Sequence, residues 1–168
     1  MSPKVSAPVV ILMGVSGSGK STIGQALSLR MGWAFRDGDD FHPPANISKM
    51  QAGIPLTDAD RLPWLHALAD AIRDCRLRGE AAVFACSALR AQYREILRQG
   101  DTGVVFVWLK GDFELIQARL QARSGHFMPT ALLRSQFEAL EAPEDAFEAD
   151  IAAPPAEVVE AIARHLGV

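Results

Sequence analysis

VVILMGVSGSGKST, residues 9–22, joins an apolar strand pattern to a glycine-rich loop and the start of a helix. Within it, Gly14–Ser21 satisfies the pattern G-x-x-x-x-G-K-[ST], which cradles phosphate between a strand and a helix. The glycines let consecutive backbone N–H groups turn toward one anion, and the positive end of the helix dipole lies at the same place. A glycine-rich turn without a ligand is the alternative, but the flanking strand and helix patterns favour the phosphate cradle.

The loop predicts a nucleotide site. Lys20 is expected to reach the β- and γ-phosphates, and the Ser21 hydroxyl to ligate Mg²⁺. The expected nucleotide-binding residues of this segment are Gly14, Val15, Ser16, Gly17, Ser18, Gly19, Lys20, Ser21 and Thr22.

Composition narrows the class of protein. A chain of 168 residues is about one domain, so residues 1–168 are expected to form one unit. A net charge of −3 without a run of like charges predicts neither nucleic-acid nor membrane-surface binding. Cys75 and Cys86 form no disulfide or metal spacing and suggest a reducing cytoplasm. The N-terminus lacks a signal-peptide core, and no uncharged apolar stretch is long enough to cross a membrane.

Short apolar runs alternate with helical patterns, which predicts an α/β fold with parallel strands joined by helical crossovers. We expect a P-loop three-layer αβα architecture with a five-stranded parallel sheet and a helical lid. The predicted strands are Val9–Met13, Trp33–Arg36, Ala82–Cys86, Val104–Leu109 and Asp150–Ala152. The predicted helices are Lys20–Met31, Pro44–Met50, one ending at Gly79 with Pro63 in its first turn, Ala91–Arg98, Phe113–Ser124, Ala131–Leu140 and Ala156–Leu166, with Thr57–Asp60 as a separate turn.

Ligands of such sheets bind beyond the carboxyl ends of the strands. The segment after the second predicted strand carries Asp37, Asp39, Asp40 and His42. Phosphoryl transfer to an alcohol needs a carboxylate that accepts the hydroxyl proton, and another is often found near Mg²⁺. We assign these parts to Asp39 and Asp37, although either could instead cap the following helix, and Asp40 fits a solvated turn. His42 is a candidate hydrogen-bond donor.

Two arginines four residues apart, Arg119 and Arg123, lie on one face of a helix that is expected to end near Gly125. Arginine is permanently charged and binds phosphate with two N–H groups. The spacing predicts a lid, approximately residues 119–137, that closes over a triphosphate and excludes water. A solvent-facing basic helix end is the alternative.

Two further arginines are candidates for binding an anionic acceptor. Arg90 follows the third predicted strand directly, whereas Arg61 lies among Asp58 and Asp60 and could be neutralised by them on a surface turn. Its position directly after a strand favours Arg90 as the arginine that binds the acceptor.

Taken together, these segments resemble the small P-loop gluconokinases over nearly the whole chain. The resemblance rests on Met13–Ser21, Asp37-Gly38-Asp39 with His42-Pro43, Asn46 with Lys49-Met50, Gly53–Leu56, Asp58, Asp60-Arg61, Pro63–Leu65, Cys86–Arg90 with Tyr93-Arg94, Leu109–Gly111, Arg119-Leu120 through Arg123, Gly125–Phe127, Gln136-Phe137, Leu140-Glu141 and Pro143. Residues 144–148 match none of these motifs and leave the adenine pocket undefined.

The resemblance implies ATP-dependent phosphorylation of D-gluconate at its C6 hydroxyl, giving 6-phospho-D-gluconate, by a cytoplasmic homodimer that uses Mg²⁺. It implies catalytic roles for Lys20, Asp39 and Arg123, phosphate contacts for Arg119 and Arg123, and metal contacts for Ser21 and Asp37. The substrate contacts that it implies are Asp39, His42, Lys49, Arg61, Arg90, His126 and Gln136.

Two other functions are compatible with parts of the pattern. A kinase of the same architecture acting on shikimate or a nucleotide would share the loop, the aspartates and the lid. A P-loop switch that signals through a partner would share the loop, but the chain has no N-K-x-D guanine-reading tetrapeptide.

Overall fold

The computed structural model describes residues 7–122 and 130–167, and these form a parallel sheet between two helical layers. The strand order is β2-β3-β1-β4-β5, with all neighbours parallel. The strands are β1 Val9–Met13, β2 Ala34–Asp37, β3 Ala82–Ala85, β4 Val104–Lys110 and β5 Phe147–Asp150. The predicted α/β class and five-stranded parallel sheet are confirmed.

Helices connect the strands as crossovers, which parallel pairing requires. They are α1 Lys20–Met31, α2 Pro44–Gln51, α3 Asp58–Arg78, α4 Ala91–Arg98, α5 Phe113–Ala122, α6 Thr130–Ala139 and α7 Pro155–His165, and a short 3-10 helix spans Gly38–Phe41. Among the described residues, no helix combines the length and apolarity needed to cross a bilayer.

The central strand is apolar on both faces because each face contacts a helical layer. All five residues of β1 are fully buried. One core cluster joins Ile11 and Phe84 to α3 and α4, and the other joins Leu12 and Val107 to α1, α5 and α7. Two cores therefore hold the sheet, and its carboxyl edge remains open for a site.

The predicted last strand, Asp150–Ala152, is wrong in position. In the structure β5 ends at Asp150, and Val107 to Lys110 of β4 pair with Phe147 to Asp150. As an edge strand, β5 buries only Ala149, so the sequence carries no apolar run there. The apolar Ile151 that suggested a strand is buried in the following turn instead.

The predicted separate turn at Thr57–Asp60 is also wrong, because α3 already begins at Asp58. Thr57 caps the helix: its hydroxyl accepts the Asp60 N–H at 3.1 Å, and the Asp60 carboxylate accepts the Thr57 N–H at 2.9 Å. Pro63 lies inside this helix. A proline there removes one intrahelical hydrogen bond, and the reciprocal cap stabilises the helix N-terminus in spite of it.

Candidate active site

The phosphate loop lies between β1 and α1 and packs tightly against the neighbouring strand ends. Gly14 has φ +153°, and a Cβ there would lie 2.7 Å from Ser18 Oγ and 3.0 Å from the Leu109 carbonyl oxygen. Its N–H donates to the Ser87 carbonyl at 3.2 Å. Only glycine combines this backbone angle with so close an approach, so the loop is anchored to the ends of β3 and β4.

Lys20 is held by the loop itself. Its Nζ donates to the carbonyl oxygens of Gly14 and Val15, both at 3.0 Å. Burial lowers the pKa of the Lys20 ammonium, while the charge of Asp39 opposes that shift more strongly than any other charged neighbour. A cation and a carboxylate thus face each other at the carboxyl end of the sheet.

The side-chain oxygens of Ser21 and Asp37, for which metal contacts are expected, meet beside the loop. Ser21 Oγ donates to Asp37 Oδ2 at 3.1 Å, and the other Asp37 oxygen accepts the Asp39 N–H at 3.0 Å. Asp37 therefore caps the 3-10 helix and also faces Ser21. Within residues 7–122 and 130–167 no cluster of three or more His, Cys, Asp or Glu side chains is formed, but Mg²⁺ is held in kinases by few protein oxygens together with phosphate. The pair fits that role.

Asp39 is positioned by the 3-10 helix that follows β2. Partial loss of hydration at this exposed turn, followed by the neighbouring charge of Asp37, raises the pKa of its carboxyl group, against the influence of His42 and Lys20. A carboxylate with a raised pKa is a better proton acceptor, which is the property that a general base needs. His42, at the end of the same turn, is buried at 9% exposure.

Arg61 is held beside Asp58 and Tyr93. Arg61 Nη1 lies 3.8 Å from Asp58 Oδ1 and donates to the Tyr93 hydroxyl at 3.2 Å. The Tyr93 hydroxyl in turn donates to Asp58. This bond, and then the charges of Arg90 and Arg61, lower the pKa of the Asp58 carboxyl group. The sequence left the two arginines as alternatives; Arg61 lies beside the Asp58 carboxylate, and the charge of Arg90 also acts on the pKa of that group.

Lys49 points toward the N-terminus of α3. Its Nζ lies 2.7 Å from Asp60 Oδ2, the carboxylate that closes the helix cap. The charge of Lys49 is thus shared with a structural aspartate.

Gln136 of α6 contacts the phosphate loop. Its Oε1 accepts the Ser16 backbone N–H at 2.7 Å, and its Nε2 donates to Ser16 Oγ at 3.0 Å. A substrate contact was predicted for Gln136, and in the structure its side chain is bonded to the loop that precedes Lys20.

A cleft of about 380 Å³ opens on the other side of the loop. Arg119 lines it and donates to the Ile151 carbonyl oxygen at 2.6 Å. Pockets that hold small molecules are commonly about 300–1,000 Å³ and mostly apolar with a few polar groups. Besides the loop glycines, its lining includes Thr22, Ile23, Ile151, Ala153, Pro155 and Val158. Arg123 and His126 lie outside the described residues.

Comparison with known proteins gives a consistent result. The shikimate kinase family model matches residues 16–151. The thermosensitive gluconokinase of Escherichia coli K12 is 57% identical over 141 residues, which cover 84% of this chain and 75% of that protein. The chain belongs to the gluconokinase family.

Solved structures agree with this membership. A gluconokinase from Sinorhizobium meliloti 1021 superimposes with a TM-score of 0.83 at 40% identity, covering 97% of each chain. An unliganded sugar kinase from Janibacter gives a TM-score of 0.88 at 42% identity, covering 96% of this chain and 95% of the other. The gluconokinase resemblance found in the sequence is confirmed.

Several residues of this gluconokinase site were not assigned by the sequence. Arg94 is buried and donates to the carbonyl oxygens of Ala88 at 2.7 Å and Glu141 at 2.8 Å. Glu141 N–H donates to Leu89 O at 2.8 Å, and its carboxylate accepts the Ala91 N–H at 3.1 Å. These bonds tie the loop that carries Arg90 to the end of α6. The resemblance included Arg94 and Glu141, but no charge pattern indicated that both would bond main-chain groups.

Proposed function

We propose that this chain transfers the γ-phosphoryl group of ATP to the C6 hydroxyl of D-gluconate, giving 6-phospho-D-gluconate. The observation that carries the chemistry is the placement of Asp39, the strongest charged neighbour of Lys20, at the tip of β2 beside the phosphate loop. The identity of the acceptor is supported by the gluconokinases to which the chain is similar over most of its length.

On the nucleotide side, backbone N–H groups of the loop would bind the phosphates, apart from those of Gly14, Ser16 and Ser18, which are bonded within the protein. Lys20 would neutralise charge on the β- and γ-phosphates. The cleft beside Arg119 and Ile151 has the size and lining for the adenosine portion. Arg123 and His126 are proposed to act from the lid, approximately residues 119–137, on the phosphates and the acceptor.

We propose Mg²⁺ as the metal, with Ser21 as a ligand and Asp37 oriented by the Ser21 hydroxyl. The ion would withdraw charge from the phosphate oxygens when it is bound. The protein's own contribution is to hold these two oxygens together: Asp37 is fixed by the N–H of Asp39, so the metal side and the base side share one turn.

On the acceptor side, Asp39 would orient the C6 hydroxyl and accept its proton. Arg61 and Arg90 would bind the acceptor carboxylate: Arg61 lies beside Asp58, and the charge of Arg90 lowers the pKa of the same carboxyl group. His42 and Lys49 would contact hydroxyl groups, and Gln136 would act through the phosphate loop that it binds. Orientation of this kind can supply about 7–11 kcal/mol of the barrier reduction.

An acceptor panel tests the proposal. The purified chain is mixed with MgATP and D-gluconate, shikimate, a nucleoside monophosphate or no acceptor, and ADP release is followed while the product is identified by ³¹P and ¹³C NMR. We expect turnover with gluconate and phosphate on C6. Turnover with shikimate but not with gluconate would show that shikimate is the acceptor. Nucleotide binding without acceptor-stimulated turnover would show a P-loop switch instead of a kinase.

The remaining expectations belong to the same proposal. A homodimer working in the cytoplasm is what the family resemblance implies, and a single domain of residues 1–168 is consistent with a continuous sheet. Light scattering coupled to size exclusion measures the mass, and a value near one chain at micromolar concentration would contradict the dimer.

A further inference from the structure

The His42 ring is fixed by its two neighbours, Trp64 and Asn46. It stacks on Trp64 with ring centroids 4.3 Å apart and planes 12° from parallel. Trp64 is itself held, because its Nε1–H donates to the Gly38 carbonyl at 2.7 Å. Trp64 and Asn46 are 4% and 3% exposed. The imidazole therefore has one orientation available in the folded protein.

The orientation of the Asn46 amide follows from its second partner. The Asn46 atom at 2.8 Å from the Asp60 main-chain oxygen must be the amide nitrogen, because a carbonyl oxygen only accepts hydrogen bonds. The same nitrogen lies 3.2 Å from His42 Nδ1. It carries two hydrogens, one for each partner, and it has no capacity to accept.

His42 Nδ1 must therefore present a lone pair, and the ring proton must be on Nε2. We propose that Asn46 is a positioning residue that holds His42 as the neutral Nε2–H tautomer, so that the ring is a fixed hydrogen-bond donor rather than a base. The use of this donor on the acceptor substrate rests on the proposed function, whereas the tautomer itself does not.

Burial has the largest influence on the pKa of the ring, and two charged residues act on it in opposite directions. Asp39 on the 3-10 helix favours the protonated ring, and Arg61 of α3 opposes it. Burial, the largest cause, lowers the pKa of His42, and Asn46 of α2 adds a donor where a protonated Nδ1 would need an acceptor. The imidazole is thus neutral at neutral pH despite a nearby carboxylate.

This assigns separate tasks to two adjacent side chains. A neutral Nε2–H donates to an oxygen of the acceptor but takes no proton there, so proton acceptance is left to Asp39. A histidine that was free to change tautomer could accept the same proton in a non-productive geometry. Asn46 removes that alternative by occupying Nδ1.

The tautomer is measured directly on the ¹⁵N-labelled full chain by long-range ¹H–¹⁵N spectra of the imidazole nitrogens. The His42 signals are assigned by their loss in His42→Gln, and the exposed His66 is an internal reference. We expect the Nε2–H pattern from pH 6 to 8. An Nδ1–H pattern or an imidazolium at pH 7.5 would overturn the proposal.

Asn46→Asp inverts the hydrogen bond with almost no change of shape. The carboxylate only accepts, so the His42 proton should move to Nδ1 and the pKa of the ring should rise; Asn46→Ala should give mixed tautomers. An unchanged Nε2–H pattern in a folded Asn46→Asp protein would contradict the positioning role. Should that variant not fold, the tautomer of the unaltered chain still decides.

Kinetics separate the donor from a packing role. His42→Gln keeps a donor, and His42→Met, of similar size and equally uncharged, lacks one. We expect the Met variant to raise the KM for gluconate about tenfold over the Gln variant, since losing a hydrogen bond costs that order, with the KM for ATP unchanged. Equal KM values for gluconate in the two variants would show that His42 donates no hydrogen bond to the substrate. Absence of gluconate turnover in the unaltered chain would refute the proposed function and leave the tautomer standing.

Discussion

Asp39 combines a raised pKa with a position beside Lys20 and Asp37. Asp39→Asn keeps the size of the side chain but removes the proton acceptor, so we expect kcat to fall by about 10²–10⁴, with little change in the KM for ATP. Because a raised pKa means that the group becomes protonated at higher pH than an ordinary aspartate, activity should be lost as pH falls, with a midpoint above the normal carboxyl range. Steady-state kinetics from pH 4 to 8 measure both effects.

Asp40 provides the control for this measurement because it is the next residue in the same turn and is exposed. Asp40→Asn should change neither kcat nor the loss of activity at low pH. Equal losses in kcat for both variants would show that the turn, not the Asp39 carboxylate, is what matters.

Substitution of Ser18 tests whether the loop binds phosphate through its backbone or through this hydroxyl. Its hydroxyl is buried and has no hydrogen-bond partner within the described part of the chain. An unpaired buried hydroxyl is unfavourable, so Ser18→Ala should leave stability unchanged or raise it by up to about 1 kcal/mol. The KM for ATP should change less than twofold if backbone N–H groups of the loop, and not the Ser18 hydroxyl, bind the phosphate. Urea unfolding and kinetics test this, and a large rise in KM would assign the contact to the hydroxyl.

Residues that follow strand ends can be recognised in the sequence, whereas side-chain bonds to the main chain cannot. The sequence predicts that Lys20, Ser21 and Asp39 lie near one another because each follows the end of a strand. It did not indicate that Asn46 would fix His42, or that Arg94 would bond two carbonyl groups, because such bonds depend on backbone atoms that leave no residue pattern.

At the level of elements, α6 is bonded to the phosphate loop by Gln136. Gln136 satisfies the Ser16 N–H from a helix 120 residues away in sequence. Gln136→Ala should therefore raise the KM for ATP about tenfold, as expected for loss of a hydrogen bond with an N–H left unpaired, and should change the KM for gluconate little. Initial-rate kinetics with each substrate varied measure the two constants.

Gln117 is a matched control because it also bridges helices, donating from α5 to Thr130 Oγ1 at 2.9 Å, but in an exposed position. Gln117→Ala should leave both KM values unchanged. A rise in the KM for gluconate alone in Gln136→Ala would restore the substrate contact that the resemblance implies.

The cap of α3 makes a prediction about pH. The hydrogen bond from Lys49, and then that from the Thr57 N–H, lowers the pKa of Asp60 to about 2 from 3.8. The stabilisation is therefore complete above the unfolded-state value and is lost as pH falls toward 2. Asp60→Asn removes the carboxylate that accepts these bonds, so it should lower stability at pH 7, and the difference from the unaltered chain should shrink as pH falls from 4 toward 2. Urea midpoints measure it.

Asp70, exposed in the middle of the same helix, is the control. Asp70→Asn should change stability by less than about 0.5 kcal/mol at either pH. An Asp60→Asn loss that did not depend on pH would exclude the Asp60 carboxylate from the cap.

Elements with strong periodicity were predicted well, and elements fixed by tertiary contacts were not. The β1 strand matches its predicted bounds because five apolar residues lie between Pro8 and Gly14, and α1 matches because Gly19 and Gly32 flank it. The β5 strand was misplaced since its position is set by pairing with β4, and the start of α3 was missed since a cap outweighed a proline.

Over the whole molecule, the core on one side of the sheet supports the catalytic turn. Phe41, two residues after Asp39, packs on Phe84 of β3 with ring centroids 6.3 Å apart. Phe84 is fully buried, whereas Phe41 is partly exposed. The position of Asp39 thus depends on a side chain deep in the sheet.

Phe84→Ala should cost about 3–5 kcal/mol, a large share of the total of about 5–15 kcal/mol for a domain. Phe84→Leu should cost less and stay folded, yet lower kcat at 20 °C because the turn loses its support. Phe106→Leu is the matched control: Phe106 is equally buried in the same core, and the described ring contacts join Phe41 to Phe84 and not to it. Urea unfolding and kcat, measured on both variants, distinguish support of the turn from general destabilisation. Equal falls in kcat for the two variants would show that the site responds to core stability as a whole.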